Sequence, residues 1–271
     1  LGNRPCLLVT AIGSQAGSDR LDLETKETSK AERVFGLVLW IWALTLAVVI
    51  VRSMWWPRAH DLSLMEFVAW SIRNGSVPYV DVFDMNMPGI YALHVGEQSL
   101  FGVGDLPTRI VDVALFAGAS WALWRLLRPF SRNVKLSAVL LFGTFHFVRF
   151  GVIDALQRDW IVAIGLIVML MLLFEGRNRR TLAFLAGLVG GYMLTIKPQA
   201  AILIIVIIGL LFRLDGFGSD QRPGVDDKPV DIRVRARSVA SYVGGVIVSV
   251  VVIAGWMLWI GAFGSLTDLT I

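Results

Sequence analysis

Apolar residues run in long blocks along most of this chain, broken by short polar stretches. The blocks cover residues 34–55, 106–127, 134–150, 160–174, 181–196, 200–214 and 239–263, against the about 20 residues that a helix needs to cross a hydrocarbon layer. Seven spanning helices are predicted. The blocks beginning at 160 and 200 are short, so they must borrow loop residues, or the pair flanking Lys197 forms a re-entrant hairpin. Residues 61–74 carry a different pattern: Leu62, Met65, Val68, Ala69 and Ile72 recur at helical spacing, with Ser63, Glu66 and Arg73 on other faces. Gly75 and Pro78 then end that helix. A second helix is predicted from Pro88, a proline suited to a first helical turn, to Phe101, with Gly102 and Gly104 closing it. Both read as amphipathic helices lying in the membrane interface. The expected fold class is therefore all-α integral membrane, with about seven transmembrane helices and two interfacial helices in the first outer loop.

Composition agrees with this pattern. Hydrophobic residues make up 56% of the chain and charged ones only 17%, where a soluble domain has about a quarter charged; mean hydropathy is +0.68. Most of the 25 Lys and Arg lie in the N-terminal tail and in loops at 125–135, 177–180 and 213–237. By the positive-inside bias these segments are cytoplasmic. The predicted organisation is a cytoplasmic polar tail (1–33), a transmembrane module (34–263) with outer loop 56–105 and cytoplasmic linker loop 213–238, and the start of a further outer segment (264–271). The expected location is the plasma (inner) membrane, multi-pass, with the N-terminus in the cytoplasm. A pI near 9.5 then reports topology, and no nucleic-acid partner is expected, because the basic residues are spread over four loops without interleaved aromatics. The single cysteine, Cys6, excludes an intrachain disulfide. The first 33 residues hold no compact apolar signal segment. The chain begins with Leu1 and stops just after an apolar run, which reads as the N-terminal part of a longer protein.

The outer loop gathers the residues with chemical potential. "GSVPYVDVFDMNMPGIY" (75–91) places Tyr79, Asp81 and Asp84 between the two interfacial helices. Asp61 opens the first of those helices, as an N-cap or as a general base. Asp81 and Asp84 suit Asx turns, sugar hydroxyls, or a divalent metal; two carboxylates without a third ligand are too few for a metal assignment, and no cofactor is expected. "RFGVIDALQRDW" (149–160) puts Arg158 and Asp159 beyond the third span, to pair with each other or to hold a phosphate. "TIKPQ" (195–199) puts Lys197 beyond the fifth, as an interfacial anchor or a phosphate ligand. His146 is expected as a packing group, His60 and His94 have no partner at a usable spacing, and Asp112 is expected to pair with Arg109 one turn earlier. "GLVGGY" (187–192) and "GGVIVS" (244–249) read as close helix packing.

The order of these motifs is informative. An Asp after the first span, then "G-x-V-P-Y-x-D-x-F" and "M-P-G-I-Y", "Q-R-D" at 157–159 and "K-P-Q" at 197–199 resembles the polytopic GT-C glycosyltransferases. The nearest branch is similar to dolichyl-phosphate-mannose protein mannosyltransferases and lipid A aminoarabinose transferases. The resemblance covers about residues 34–263. It implies a polyprenyl-phosphate-sugar donor in the bilayer and a glycan, lipid or protein acceptor. It also implies Asp61 as catalytic base on the outer face, although "HDL" here departs from the Asp-Glu pair common in that family. Arg158 and Lys197 are then implied as ligands of the lipid phosphate, Asp159 as the partner that orients Arg158, and Tyr79, Asp81 and Asp84 as contacts to sugar or acceptor. The alternative is a multi-pass transporter or flippase, which would set its binding groups near the bilayer midplane on broken helices.

Overall fold

The computed structural model describes residues 32–59, 61–175, 180–213 and 232–265. The polar tail with Cys6, His60, most of the 213–238 linker and nearly all of 264–271 lie outside the described residues. The chain divides into two compact units, Leu1–Ala47 and Val48–Ile271. A long helix, α1 (Glu32–Ser53), is the described part of the first unit and runs on into the second. The remaining helices all belong to the second unit: α2 (Asp61–Arg73), α3 (Pro88–Phe101), α4 (Asp105–Leu126), α5 (Arg132–Thr144), α6 (Arg158–Glu175), α7 (Arg180–Ile196), α8 (Ala200–Arg213) and α9 (Ile232–Trp259). A π-helical turn, Phe145–Phe150, continues α5. Among the described residues there is no strand, only an isolated bridge between Pro78 and Val82.

Helices occupy every apolar block read from the sequence. Among the described residues, three segments are long and apolar enough to cross a membrane, Glu32–Ser53, Asp105–Leu126 and Ala236–Trp259. α7 and α8 are apolar but shorter; the short block at 200 foretold this for α8, whereas the shortness of α7 was not expected. Apolar side chains such as Ile202, Ile205, Val251, Val252 and Leu258 face outward, which suits contact with lipid rather than water.

Local sequence fixes the two helices of the outer loop. α2 ends in a Schellman motif: Gly75, at φ 93°, donates to Ile72 O (3.0 Å), and Ser76 N donates to Ser71 O (3.0 Å). Leu62, Met65, Val68 and Ala69 are buried as expected. Glu66, expected on another face, is buried with them at 2% exposure, because it has partners on α3. Pro88 opens α3 and Gly102, at φ 85°, closes it.

Small residues bring the helix axes together. A methyl group on Gly89 would lie 2.7 Å from the Thr195 carbonyl carbon, so the start of α3 rests directly on the end of α7. Tyr192 secures that contact by donating to Gly89 O at 2.9 Å. Methyl groups on Gly191 and Gly245 would meet Val246 Cα at 2.8 Å and Leu188 N at 2.7 Å, respectively. These glycines let α7 and α9 pack backbone to backbone, as the small-residue motifs predicted. Met169, Ala183, Ala186, Met193, Ala200, Ile204, Ile207 and Tyr242 form the core around α7.

Candidate functional site

Three helix ends carry the charged residues singled out by the sequence. Asp61 stands in the first turn of α2. The segment leading into it is clamped by α4: the buried Arg109 donates to Pro57 O (2.9 Å) and Trp56 O (3.4 Å) and lies over the Trp56 ring. Arg58 adds a bond from its Nε to Asp105 at 2.7 Å. Arg109 therefore does not pair with Asp112, contrary to the expectation from their spacing.

Asp112 instead organises the start of α6. Its carboxylate accepts from Trp160 Nε1 (3.1 Å) and from the backbone of Leu156 (3.4 Å), and meets His146 Nε2 at 2.9 Å. The His146 ring stacks on Trp160, with centroids 3.7 Å apart and planes 4° from parallel. His146 is the buried packing group that its surroundings predicted. The wide π turn presents it, and Gly151, at φ 56°, ends that turn by donating to His146 O at 2.8 Å. Leu156 takes a positive φ of 50°, which is uncommon for a residue with a Cβ, and is fully buried. Asp112 holds this bend, and the bend delivers Arg158 and Asp159 to the first turn of α6, with Gln157 just before it.

Lys197 is set by the break between α7 and α8. Its N–H still donates to Met193 O at 2.9 Å, Pro198 cannot continue the pattern, and Ala200 N starts the next turn on Lys197 O at 2.9 Å. The ammonium thus emerges at a helix C-terminus, where the macrodipole favours a cation.

These ends meet through two ion pairs. Arg158 Nη2 lies 3.7 Å from Asp61 Oδ2, and Lys197 Nζ bonds Asp159 Oδ1. Since Arg158 and Asp159 are adjacent, Asp61, Arg158, Asp159 and Lys197 form one patch. Arg158 and Asp159 pair with these partners and not with each other, so the orienting contact of Asp159 is to Lys197. All four are partly open, from 34% exposure at Lys197 to 75% at Asp159, so a charged ligand can reach them.

Tyr79, Asp81 and Asp84 do not join that patch; they bond within the loop. Asp81 Oδ2 accepts from Val77 N at 2.7 Å. Asp84 Oδ2 accepts from the Tyr91 hydroxyl (2.7 Å) and from Asn86 (2.8 Å), while the Tyr79 hydroxyl donates to Asn86 O (2.6 Å). Burial, reinforced by Asp84, pushes both tyrosines well above the usual phenol range, so both stay protonated as donors. Tyr79 also has a positive φ, 68°. The "PYVDVFD" stretch is a self-bonded knot that fixes the entry to α3.

A second cluster had no signal in the sequence. His94 Nδ1 lies 2.9 Å from Glu66 Oε1 and 3.0 Å from Glu97 Oε2, and all three residues are buried. Burial opposes a charge on His94, but the bonds to both carboxylates outweigh it and hold its pKa above the ordinary value. Burial pushes Glu97 up despite His94, whereas the bond to His94 overcomes burial and holds Glu66 down. Glu66 and His94 are 28 residues apart, so no local spacing reveals the pair. Of this cluster, Glu66 also lines a groove with Pro57, Arg58, Ser63, Phe67, Trp70, Val103 and Asp105.

Comparison with known families falls on the middle of the chain. Residues 88–216 match the dolichyl-phosphate-mannose-protein mannosyltransferase family. The match bears out the GT-C resemblance over that segment, and the apolar helices bear out a membrane protein. Pro88, Arg158, Asp159 and Lys197 lie inside the matched segment, whereas Asp61, Tyr79, Asp81 and Asp84 precede it. Searches of curated proteins and of solved structures find no match.

Proposed function

We propose that this protein moves a sugar from a polyprenyl-phosphate-linked donor to a hydroxyl of a glycan, lipid or protein acceptor, on the outer face of the inner membrane, by one inverting displacement. The observation that carries the proposal is the joining of Asp61, Arg158, Asp159 and Lys197 through the Arg158–Asp61 and Lys197–Asp159 pairs. Such a donor is apolar along its chain and anionic at the glycosidic bond, so its phosphate rests at headgroup depth. Seven spans with the N-terminus inside would bring the ends of α2, α6 and α7 to that depth on the outer side.

The chemistry follows from the charges. Arg158 and Lys197 would bind the phosphate and stabilise the charge that develops as its bond to the anomeric carbon breaks. Phosphate binding would draw Arg158 from Asp61 and free that carboxylate. Asp61 would then take the proton of the acceptor hydroxyl as its oxygen attacks the anomeric carbon from the opposite face. A C–O bond forms to the acceptor, and polyprenyl phosphate leaves with the bond electrons. Asp159 would keep Lys197 in position. Asp81 and Asp84, held by the loop with Tyr79, would present contacts to sugar or acceptor hydroxyls.

Reconstitution of the purified protein in proteoliposomes with polyprenyl-phosphate mannose, followed by NMR of the product, tests this. Transfer with inversion at the anomeric carbon is expected. Retention of configuration, or no donor-dependent transfer to glycan, lipid or protein acceptors, would overturn the proposal.

A further inference from the structure

Glu66, His94 and Glu97 offer one donor atom each within 4.8 Å of one another, enclosed between α2 and α3 with exposures of 2%, 0% and 4%. We propose that these three side chains form a binding site for a divalent cation of zinc-like chemistry. The proposal is independent of sugar transfer.

A proton alone satisfies this cluster poorly. Both carboxylates approach the same ring nitrogen, His94 Nδ1, which has one N–H to donate. A buried carboxylate without a full set of partners is costly to keep charged. Arg58 stands 3.8 Å from the other Glu66 oxygen and is committed to Asp105 at 2.7 Å. Glu97 Oε1 is buried with no hydrogen-bond partner; the nearby Thr108 hydroxyl gives its proton to Gly104 O at 3.0 Å.

Gln98 supplies an independent sign. It is not one of the three donors, and it is 1% exposed. Its Nε2 donates to Glu66 O (2.8 Å) and Glu66 Oε2 (2.6 Å), which orients that carboxylate. The same amide leaves its carbonyl oxygen, Oε1, buried without a partner. Ligand carboxylates held in this way are characteristic of metal sites, and a buried oxygen that lacks a positive partner favours a cation in its surroundings.

The donor set selects the cation. Two carboxylates and one neutral imidazole balance a double positive charge, and a mixed N/O set of this kind suits zinc, with ligands at about 2.0–2.2 Å. His94 Nδ1 lies about 3 Å from each carboxylate oxygen and all three donor atoms fall within 4.8 Å, so small side-chain shifts would let them surround such an ion. Glu66 also lines the groove described above, which provides the way in. A bound ion would tie α2 to α3, the two helices that carry Asp61 and the "MPGIY" start.

The test is metal content and thermal stability of the purified protein, stripped with EDTA and then dialysed against Zn2+. Wild type is expected to hold about one Zn2+ per chain, to gain in Tm on Zn2+ addition, and to show one imidazole among N/O scatterers in the zinc absorption spectrum. Glu97→Gln, which keeps the shape and removes a charge, is expected to lose at least 10-fold in zinc affinity, and Asp81→Asn to retain wild-type binding. Wild type with no bound zinc and an unchanged Tm would overturn the proposal, as a proton-only cluster would behave in this way. Zinc bound without imidazole scattering, or unchanged affinity in Glu97→Gln, would also overturn it. The absorption spectrum uses wild type alone, so the result stands even if Glu97→Gln fails to fold.

Discussion

Individual side chains make the sharpest predictions. Lys197→Gln keeps a polar end on a side chain one atom shorter but removes the charge offered to the departing phosphate. A charge-assisted hydrogen bond is worth about 1.5–3 kcal/mol, so kcat/KM for a polyprenyl-phosphate donor should fall about 10- to 100-fold in a steady-state assay. Arg158→Lys should also impair transfer, because an ammonium cannot reproduce the guanidinium fork. Asp154 makes a different prediction. Burial raises its pKa, so its neutral form is the one the fold favours. Its contribution to stability is full below the unfolded value near 3.8 and is lost as pH rises through the folded value. Asp154→Asn should therefore have a higher Tm than wild type at pH 7 and an equal one near pH 3, as measured by thermal melts across that range. The charges at the patch were legible because Asp61, Arg158, Asp159 and Lys197 each stand where an apolar block begins or ends. Their pairing was not, since Arg158 reaches a residue almost 100 positions earlier in the chain. Arg109 and Asp112 show the opposite failure: helical spacing allowed a local pair, and partners on other elements proved better, two backbone carbonyls for one and His146 with Trp160 for the other.

At the scale of helices, boundaries were readable wherever chemistry punctuates them. Pro88 and Gly102 delimit α3 as predicted, and Gly75 ends α2 through the bonds that a left-handed residue permits. The π turn at Phe145–Phe150 was not readable, because an i→i+5 pattern leaves no compositional trace; it arises where Asp112 and Trp160 draw His146 inward. Glu66 was misplaced for a related reason, since a helical wheel cannot show that the facing helix carries a histidine. The contact between α3 and α7 carries the prediction at this scale. Gly89→Ala forces a methyl group against Thr195, and overpacking of this kind costs about 1–3 kcal/mol. Thermal melts in detergent should show a clear fall in Tm, together with weaker donor binding as the end of α7 and Lys197 shift. Ala at Gly96, where a methyl group meets nothing within 4 Å, should leave both unchanged.

Over the whole molecule, the long apolar segments and the match to a membrane mannosyltransferase family agree on a chain built in and around a bilayer. The distribution of Lys and Arg supplies the orientation of the account, with the polar tail inside and the ends of α2, α6 and α7 outside. In a variant with Cys6 replaced, single cysteines at Asp61 and Lys197 should both react with an impermeant maleimide added to the outer face of right-side-out vesicles. The central claim is that the carboxylate paired with Arg158 performs the transfer. The most direct measurement is sugar-transfer turnover by Asp61→Asn and by Asp81→Asn in proteoliposomes. Turnover should fall about 10²- to 10⁴-fold in Asp61→Asn and stay within about tenfold of wild type in Asp81→Asn; undiminished turnover in Asp61→Asn would rule out this carboxylate as the base.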